Sequence, residues 1–141
     1  MKNEMELNNS GEASSILVID DDNRIRTMLV RMLEPYAVVY CASDVDEGLC
    51  LFRKENPRLV FTDFEMPGKN GIEGIQAMRS LKPHVNIVML TGSATRELIE
   101  EAKKVGACEC LSKPFDMNRI HALMRRYMEM EPGTAERIPA A

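Results

Sequence analysis

Several acidic, hydroxyl and basic residues stand immediately after short apolar runs. Ile16-Leu17-Val18-Ile19 ends on Asp20-Asp21-Asp22, and Leu59-Val60-Phe61-Thr62 ends on Asp63. Ile87-Val88-Met89-Leu90 ends on Thr91, and Leu111-Ser112 on Lys113. Carboxylates gathered near one point repel each other and attract protons or a cation. The hard cation that suits such a set is Mg2+, which takes one or two carboxylates and keeps oxygens from water and phosphate. A carboxylate can also attack phosphorus and become an aspartyl phosphate. Lys113 offers a compact charge for a carboxylate or a phosphate oxygen, and Thr91 offers a hydroxyl donor. Each residue alone has a plainer explanation: acids at a helix start, a strand-end threonine, a surface lysine. The plain explanation accounts for Asp22. It does not account for two further acids at the end of a buried strand.

The elements that must hold these residues are legible from periodicity. Uninterrupted apolar runs of four or so residues suit strands buried on both faces of a parallel sheet. Ala37 to Tyr40 forms another such run, and the fifth strand is expected at about Cys108 to Leu111. Between the strands, apolar residues recur at helical spacing. Ile25, Met28, Leu29, Met32 and Leu33 lie in Asn23 to Glu34, and Leu49 and Phe52 follow a cap expected at Ser43. Ile72, Ile75 and Met78 follow the Met66-Pro67-Gly68-Lys69-Asn70-Gly71 loop, and Leu98, Ile99, Ala102 and Val105 precede Gly106. Ile120, Leu123, Met124 and Tyr127 follow a cap at Asp116. Five strands alternating with five helices imply an α/β fold with parallel strands and right-handed crossovers. In such a sheet, ligands bind beyond the carboxyl ends of the strands, which is where the polar stops stand.

Length and composition narrow the classes. The chain of 141 residues fits one domain, and 45% hydrophobic residues can fill its core. A net charge of −4 without a basic stripe argues against a nucleic-acid binder. No apolar run approaches the roughly 18 residues of a membrane span. Residues 1–14 read as a flexible lead-in without a signal-peptide centre, residues 15–130 as the domain, and 131–141 as a free tail. The cytoplasm is the default compartment. The chain has four cysteines and two histidines. Cys108 and Cys110 could share a strand face, but no second pair stands at zinc spacing, so packing explains them. His84 and His121 are assigned no chemical role, and the 11 methionines read as flexible packing.

Four segments together carry a resemblance. They are Ile16-Leu17-Val18-Ile19-Asp20-Asp21-Asp22, Thr62-Asp63-Phe64-Glu65-Met66-Pro67-Gly68 with Gly71, Met89-Leu90-Thr91-Gly92, and Leu111-Ser112-Lys113-Pro114-Phe115. In this order and spacing they closely resemble the receiver domain of two-component response regulators, over about Ser15 to Met130. The resemblance implies a doubly wound, flavodoxin-like five-stranded parallel sheet of order 2-1-3-4-5 with its switch point between strands one and three. It implies that Asp63 is the phosphoacceptor. Mg2+ is held by Asp21 directly, Asp20 partly through water, Asp63 and the main-chain carbonyl of Glu65. Thr91 and Lys113 contact the phosphoryl group, and a cis Lys113-Pro114 bond aims the lysine. The implied phosphodonor is a histidine kinase or histidine phosphotransfer protein, or a small donor such as acetyl phosphate. The implied output face is the fourth helix, fifth strand and fifth helix, meeting a protein target or a second copy. The chain would then be a phosphorelay switch, not an enzyme beyond assisting its own phosphorylation and dephosphorylation.

One departure stands out: Cys110 occupies the position where the family often has Tyr or Phe. A thiol lacks that large rotating surface, so the response is expected to be smaller or to run through backbone shifts of the fourth helix. Glu65 and Ser93 stand where the family tunes phosphoryl lifetime. Two rival readings remain. A haloacid-dehalogenase-type phosphatase would use Asp20 and Asp22, but leaves Asp63 unexplained and has no cap domain in 141 residues. A phosphate-independent interaction module would usually lose one of the acids, the threonine or the lysine, and all are kept here.

Overall fold

The computed structural model describes residues 14–128. Strands β1 (Ser15–Ile19), β2 (Val38–Ala42), β3 (Leu59–Asp63), β4 (Asn86–Thr91) and β5 (Glu109–Ser112) alternate with helices. The helices are α1 (Asn23–Leu33), α2 (Val45–Glu55), α3 (Gly71–Leu81), α4 (Arg96–Val105) and α5 (Met117–Met128). All four strand pairings are parallel, in the order β2-β1-β3-β4-β5. This is the doubly wound arrangement expected from the resemblance.

Burial explains why the apolar runs lack alternation. Every residue of β1, β3 and β4 is buried, whereas the edge strands β2 and β5 are partly exposed. On one face, Ile16, Val18, Phe61 and Leu90 pack with Leu29 and Leu33 of α1 and with Ile120, Leu123 and Tyr127 of α5. On the other face, Leu17, Ile19, Val60 and Met89 pack with Phe52 of α2, Ile75 and Met78 of α3, and Ala102 of α4. Helix α4 buries only Ala102 fully. Leu98 and Val105 are partly buried against the core, and Ile99 is half-buried.

Several local details differ from the sequence reading. The cap of α2 is Asp44, whose carboxylate accepts from the Glu47 amide at 2.8 Å; Ser43 instead receives the Glu47 carboxylate on its own N–H at 2.7 Å. Cys108 precedes β5, so it does not alternate with Cys110. Cys108 joins the α1/α5 face beside Asn86, and Cys110 packs on the other face. Ser14, assigned to the lead-in, is only 3% exposed, and its carbonyl accepts from Val38 N–H. The remainder of the expected lead-in and the tail at 131–141 lie outside the described residues. Gly106 closes α4 at φ 118°, a conformation that suits glycine. No helix among the described residues is long and apolar enough to cross a membrane.

Candidate functional site

The carboxyl ends of β1, β3, β4 and β5 form one rim. Register places Asp63 beside Leu90, and Thr91 beside Ser112. The Lys113 amide donates to the Thr91 carbonyl at 2.7 Å, which carries the lysine onto the same rim. The Lys113–Pro114 bond is cis, as the resemblance implied.

The acids converge. One carboxylate oxygen each of Asp20, Asp21 and Asp63 lies within 4.8 Å of the others. Asp20 is 0% exposed and both its oxygens are engaged: Oδ1 accepts from the Asp22 amide at 2.8 Å and Oδ2 from Lys113 Nζ at 3.0 Å. Asp21 is exposed and makes no hydrogen bond or ion pair among the described residues. Its free lone pairs fit a direct cation ligand, and the occupied ones of Asp20 fit a ligand acting at one remove. Three clustered carboxylates, two of them bonded to Lys113, match the donor set of a hard divalent cation.

Asp63 is 2% exposed and accepts from Lys113 Nζ at 3.1 Å. Burial, and then the charge of Asp20, push its pKa from the ordinary 3.8 up to about 6, against the pull of Lys113 and the Glu65 amide. Burial works against the charge on Lys113, but hydrogen bonds to Asp20 and Asp63 outweigh it and leave the pKa raised. The lysine therefore stays an ammonium between two carboxylates.

Thr91 is buried, and its hydroxyl oxygen accepts from the Ser93 amide at 3.1 Å. That bond leaves the hydroxyl proton available to another acceptor. Glu65 is exposed, with its carboxylate on the side of Gly92. Asp20, Asp21, Asp63, Thr91 and Lys113 thus stand on one rim, with the three acids clustered and Lys113 bonded to Asp20 and Asp63.

The loop after Asp63 is tightly specified. A Cβ on Gly71 would fall 2.5 Å from the Asp63 carbonyl oxygen and 2.8 Å from Phe64 Cα, so only glycine lets α3 begin this close to the acceptor. Asn70 and Glu73 form a reciprocal capping box at 3.0 and 2.8 Å. Lys69 pairs with Asp46 of α2 at 2.6 Å. The sequence reading used Gly71 only within the resemblance and gave the Asn70–Glu73 box and the Lys69–Asp46 pair no role, although the Asn-x-x-Glu spacing carries the signal of the cap. Arg26, which turns back onto the β1–α1 loop, is likewise absent from the sequence reading, and no spacing signals it. A groove of about 770 Å³ lies elsewhere, along α1 and the start of α5; its lining includes Arg24, Met28, Arg31, Tyr36 and Met117 but no carboxylate, so it takes no part in this chemistry.

The family model described as response regulator receiver domain matches residues 16–125. The chain belongs to that family. It is a receiver domain of two-component response regulators, and receiver domains are signalling switches, not classical enzymes. Phosphorylation and Mg2+ binding are general features of the family. Sporulation initiation phosphotransferase F of Bacillus subtilis is 30% identical over 118 residues, covering 82% of this chain and 94% of that protein. Transcriptional regulatory protein FixJ of Azorhizobium caulinodans is 33% identical over 119 residues, covering 81% of this chain but 54% of that protein. The chain thus spans nearly all of one curated relative and about half of the other. Chemotaxis protein CheY4 of Vibrio cholerae matches with a TM-score of 0.76 and 31% identity, covering 81% of this chain and 98% of that one. The BeF3-activated DrrB receiver domain, at 23% identity and a TM-score of 0.78, shares the fold.

Proposed function

We propose that this receiver domain is a phosphoaspartate switch with Asp63 as acceptor. The observation that carries the proposal is the buried Asp63 carboxylate, held by Lys113 beside Asp20 and Asp21. Its poise is unfavourable before transfer, with its pKa near 6. An Asp63 oxygen forms a bond to phosphorus while the bond from phosphorus to the donor breaks. From a phosphohistidine the leaving group is the imidazole, and from acetyl phosphate it is acetate. Asp21, Asp63 and the Glu65 carbonyl would hold Mg2+, with Asp20 acting through water. The cation supplies charge neutralisation for the transferring oxygens. Lys113 then exchanges its Asp63 contact for a phosphoryl oxygen, and the Thr91 hydroxyl donates to another.

The phosphodonor is a histidine kinase or histidine phosphotransfer protein. The output runs through α4, β5 and α5 to a protein target or a second copy. Cys110, like Leu98 and Val105 of α4, packs partly buried against the same core face where a rotating aromatic is absent, and α4 buries a single residue fully. Movement of α4, drawn by Thr91 at the start of its loop, is the route that these contacts favour. A change from about 1% to 99% active requires about 5.5 kcal/mol of differential interaction.

The test is intact-mass spectrometry after incubation with acetyl phosphate and Mg2+. The wild type gains one phosphate, Asp63→Asn gains none, and EDTA abolishes the gain. Equal gain by both proteins removes Asp63 from this role. Sustained turnover of p-nitrophenyl phosphate would instead favour a phosphatase.

A further inference from the structure

Asp20 and Asp21 are joined by one peptide unit, and the plane of that unit sets where the Asp21 carboxylate points. The Asp20 amide donates to the Ala42 carbonyl at 3.1 Å, anchoring the loop to β2. The Asp20 carbonyl faces the other way and accepts from Arg26 Nη1 at 2.6 Å. Arg26 Nη2 donates to Asn23 Oδ1 at 3.2 Å, and the Arg26 amide donates to the Asp22 carbonyl at 3.0 Å. One half-buried arginine on the second turn of α1 therefore spans the whole acidic loop. Neither the phosphoryl chemistry nor the core explains why it folds back there.

We propose that Arg26 is a positioning residue for the cation site: its guanidinium clamps the Asp20–Asp21 peptide so that the Asp21 carboxylate stays converged with Asp63. The proposal rests on the reading of Asp20, Asp21 and Asp63 as a Mg2+ site. Two effects of Arg26 oppose each other. As a nearby positive charge it weakens cation binding; as a clamp it strengthens it. Groups that orient metal ligands from behind typically matter by about 10–100-fold in affinity. Charge near a solvated rim is screened, so the clamp dominates. A lysine retains the charge but not the planar fork that reaches two acceptors.

The test is a Mg2+ titration of the full chain followed by amide NMR shifts around Asp21 and Asp63, with thermal unfolding recorded for each variant. Arg26→Gln should bind Mg2+ about 10-fold more weakly than wild type. Arg26→Lys should also bind more weakly despite its charge. Arg24→Gln serves as the control: Arg24 is exposed, pairs with Asp22 at 3.3 Å and does not touch the Asp20 carbonyl. Its removal should leave affinity unchanged or slightly tighter. Should Arg26→Gln or Arg26→Lys bind as tightly as wild type, the clamp is refuted while the cation site stands. Should the wild type show no Mg2+-dependent shifts, the cation site itself is refuted and the clamp with it.

Discussion

Replacing Asp63 with asparagine should stabilise the unphosphorylated protein, and only where Asp63 would be ionised. Burial and the charge of Asp20 raise its pKa from 3.8 to about 6 in the folded chain. The folded state thus holds this proton more tightly than the unfolded state. Below about pH 4 the group is neutral in both states and costs nothing. Between about pH 4 and 6 the unfolded chain ionises first, so stability falls as pH rises. Above about pH 6 the penalty is complete. A rise of about two pH units, at about 1.36 kcal/mol each, amounts to about 3 kcal/mol. Lys113 is already counted in that balance, and asparagine resembles the protonated acid in shape and charge. Urea unfolding in EDTA should therefore show Asp63→Asn more stable by about 2–3 kcal/mol at pH 7.5, with the difference vanishing near pH 4. In thermal unfolding this corresponds to roughly 6–12 °C for a domain of this size. Saturating Mg2+ should narrow the gap by favouring the wild type. Equal or lower stability of the variant at pH 7.5, or a gain that does not change with pH, would refute the reasoning.

Three other perturbations follow from the same geometry. Lys113→Met removes the ammonium between Asp20 and Asp63, so the Asp63 pKa should rise above about 6 in a carbon-detected NMR titration; a lower value contradicts the role of the pair. Gly71→Ala puts a methyl group 2.5 Å from the Asp63 carbonyl oxygen, and chemical denaturation should show a loss of about 1–3 kcal/mol together with slower phosphorylation. Asn70→Ala breaks the capping box of α3 and should cost about 1 kcal/mol in the same assay, with no change in the Asp63 titration.

The sheet was readable because β1, β3 and β4 are buried on both faces, which turns each into an unbroken apolar run. The convergence of Asp20, Asp21, Asp63, Thr91 and Lys113 was readable because parallel strands all end on one edge. The order of the strands is a different matter: alternation alone allows several, and the resemblance supplied it. At α2, Ser43 and Asp44 are adjacent residues of equally good capping type, and only backbone geometry selects the aspartate. A face shared by Cys108 and Cys110 requires alternation to hold at Cys108, one residue before β5 begins, and there it does not. Arg26 was invisible for another reason. An arginine on an exposed helix turn looks solvated, and its return to a carbonyl six residues earlier depends on the path of the loop. The raised pKa of Asp63 depends likewise on burial and on Asp20, which lies far away in sequence.

The most direct measurement is the location of the phosphoryl group itself. After acetyl phosphate treatment with Mg2+, borohydride reduction and peptide mass spectrometry would report which carboxyl had become an acyl phosphate. Conversion of Asp63 alone, lost in EDTA, is the predicted result. Conversion of Asp20, Asp21 or Asp22 with Asp63 intact would contradict the account.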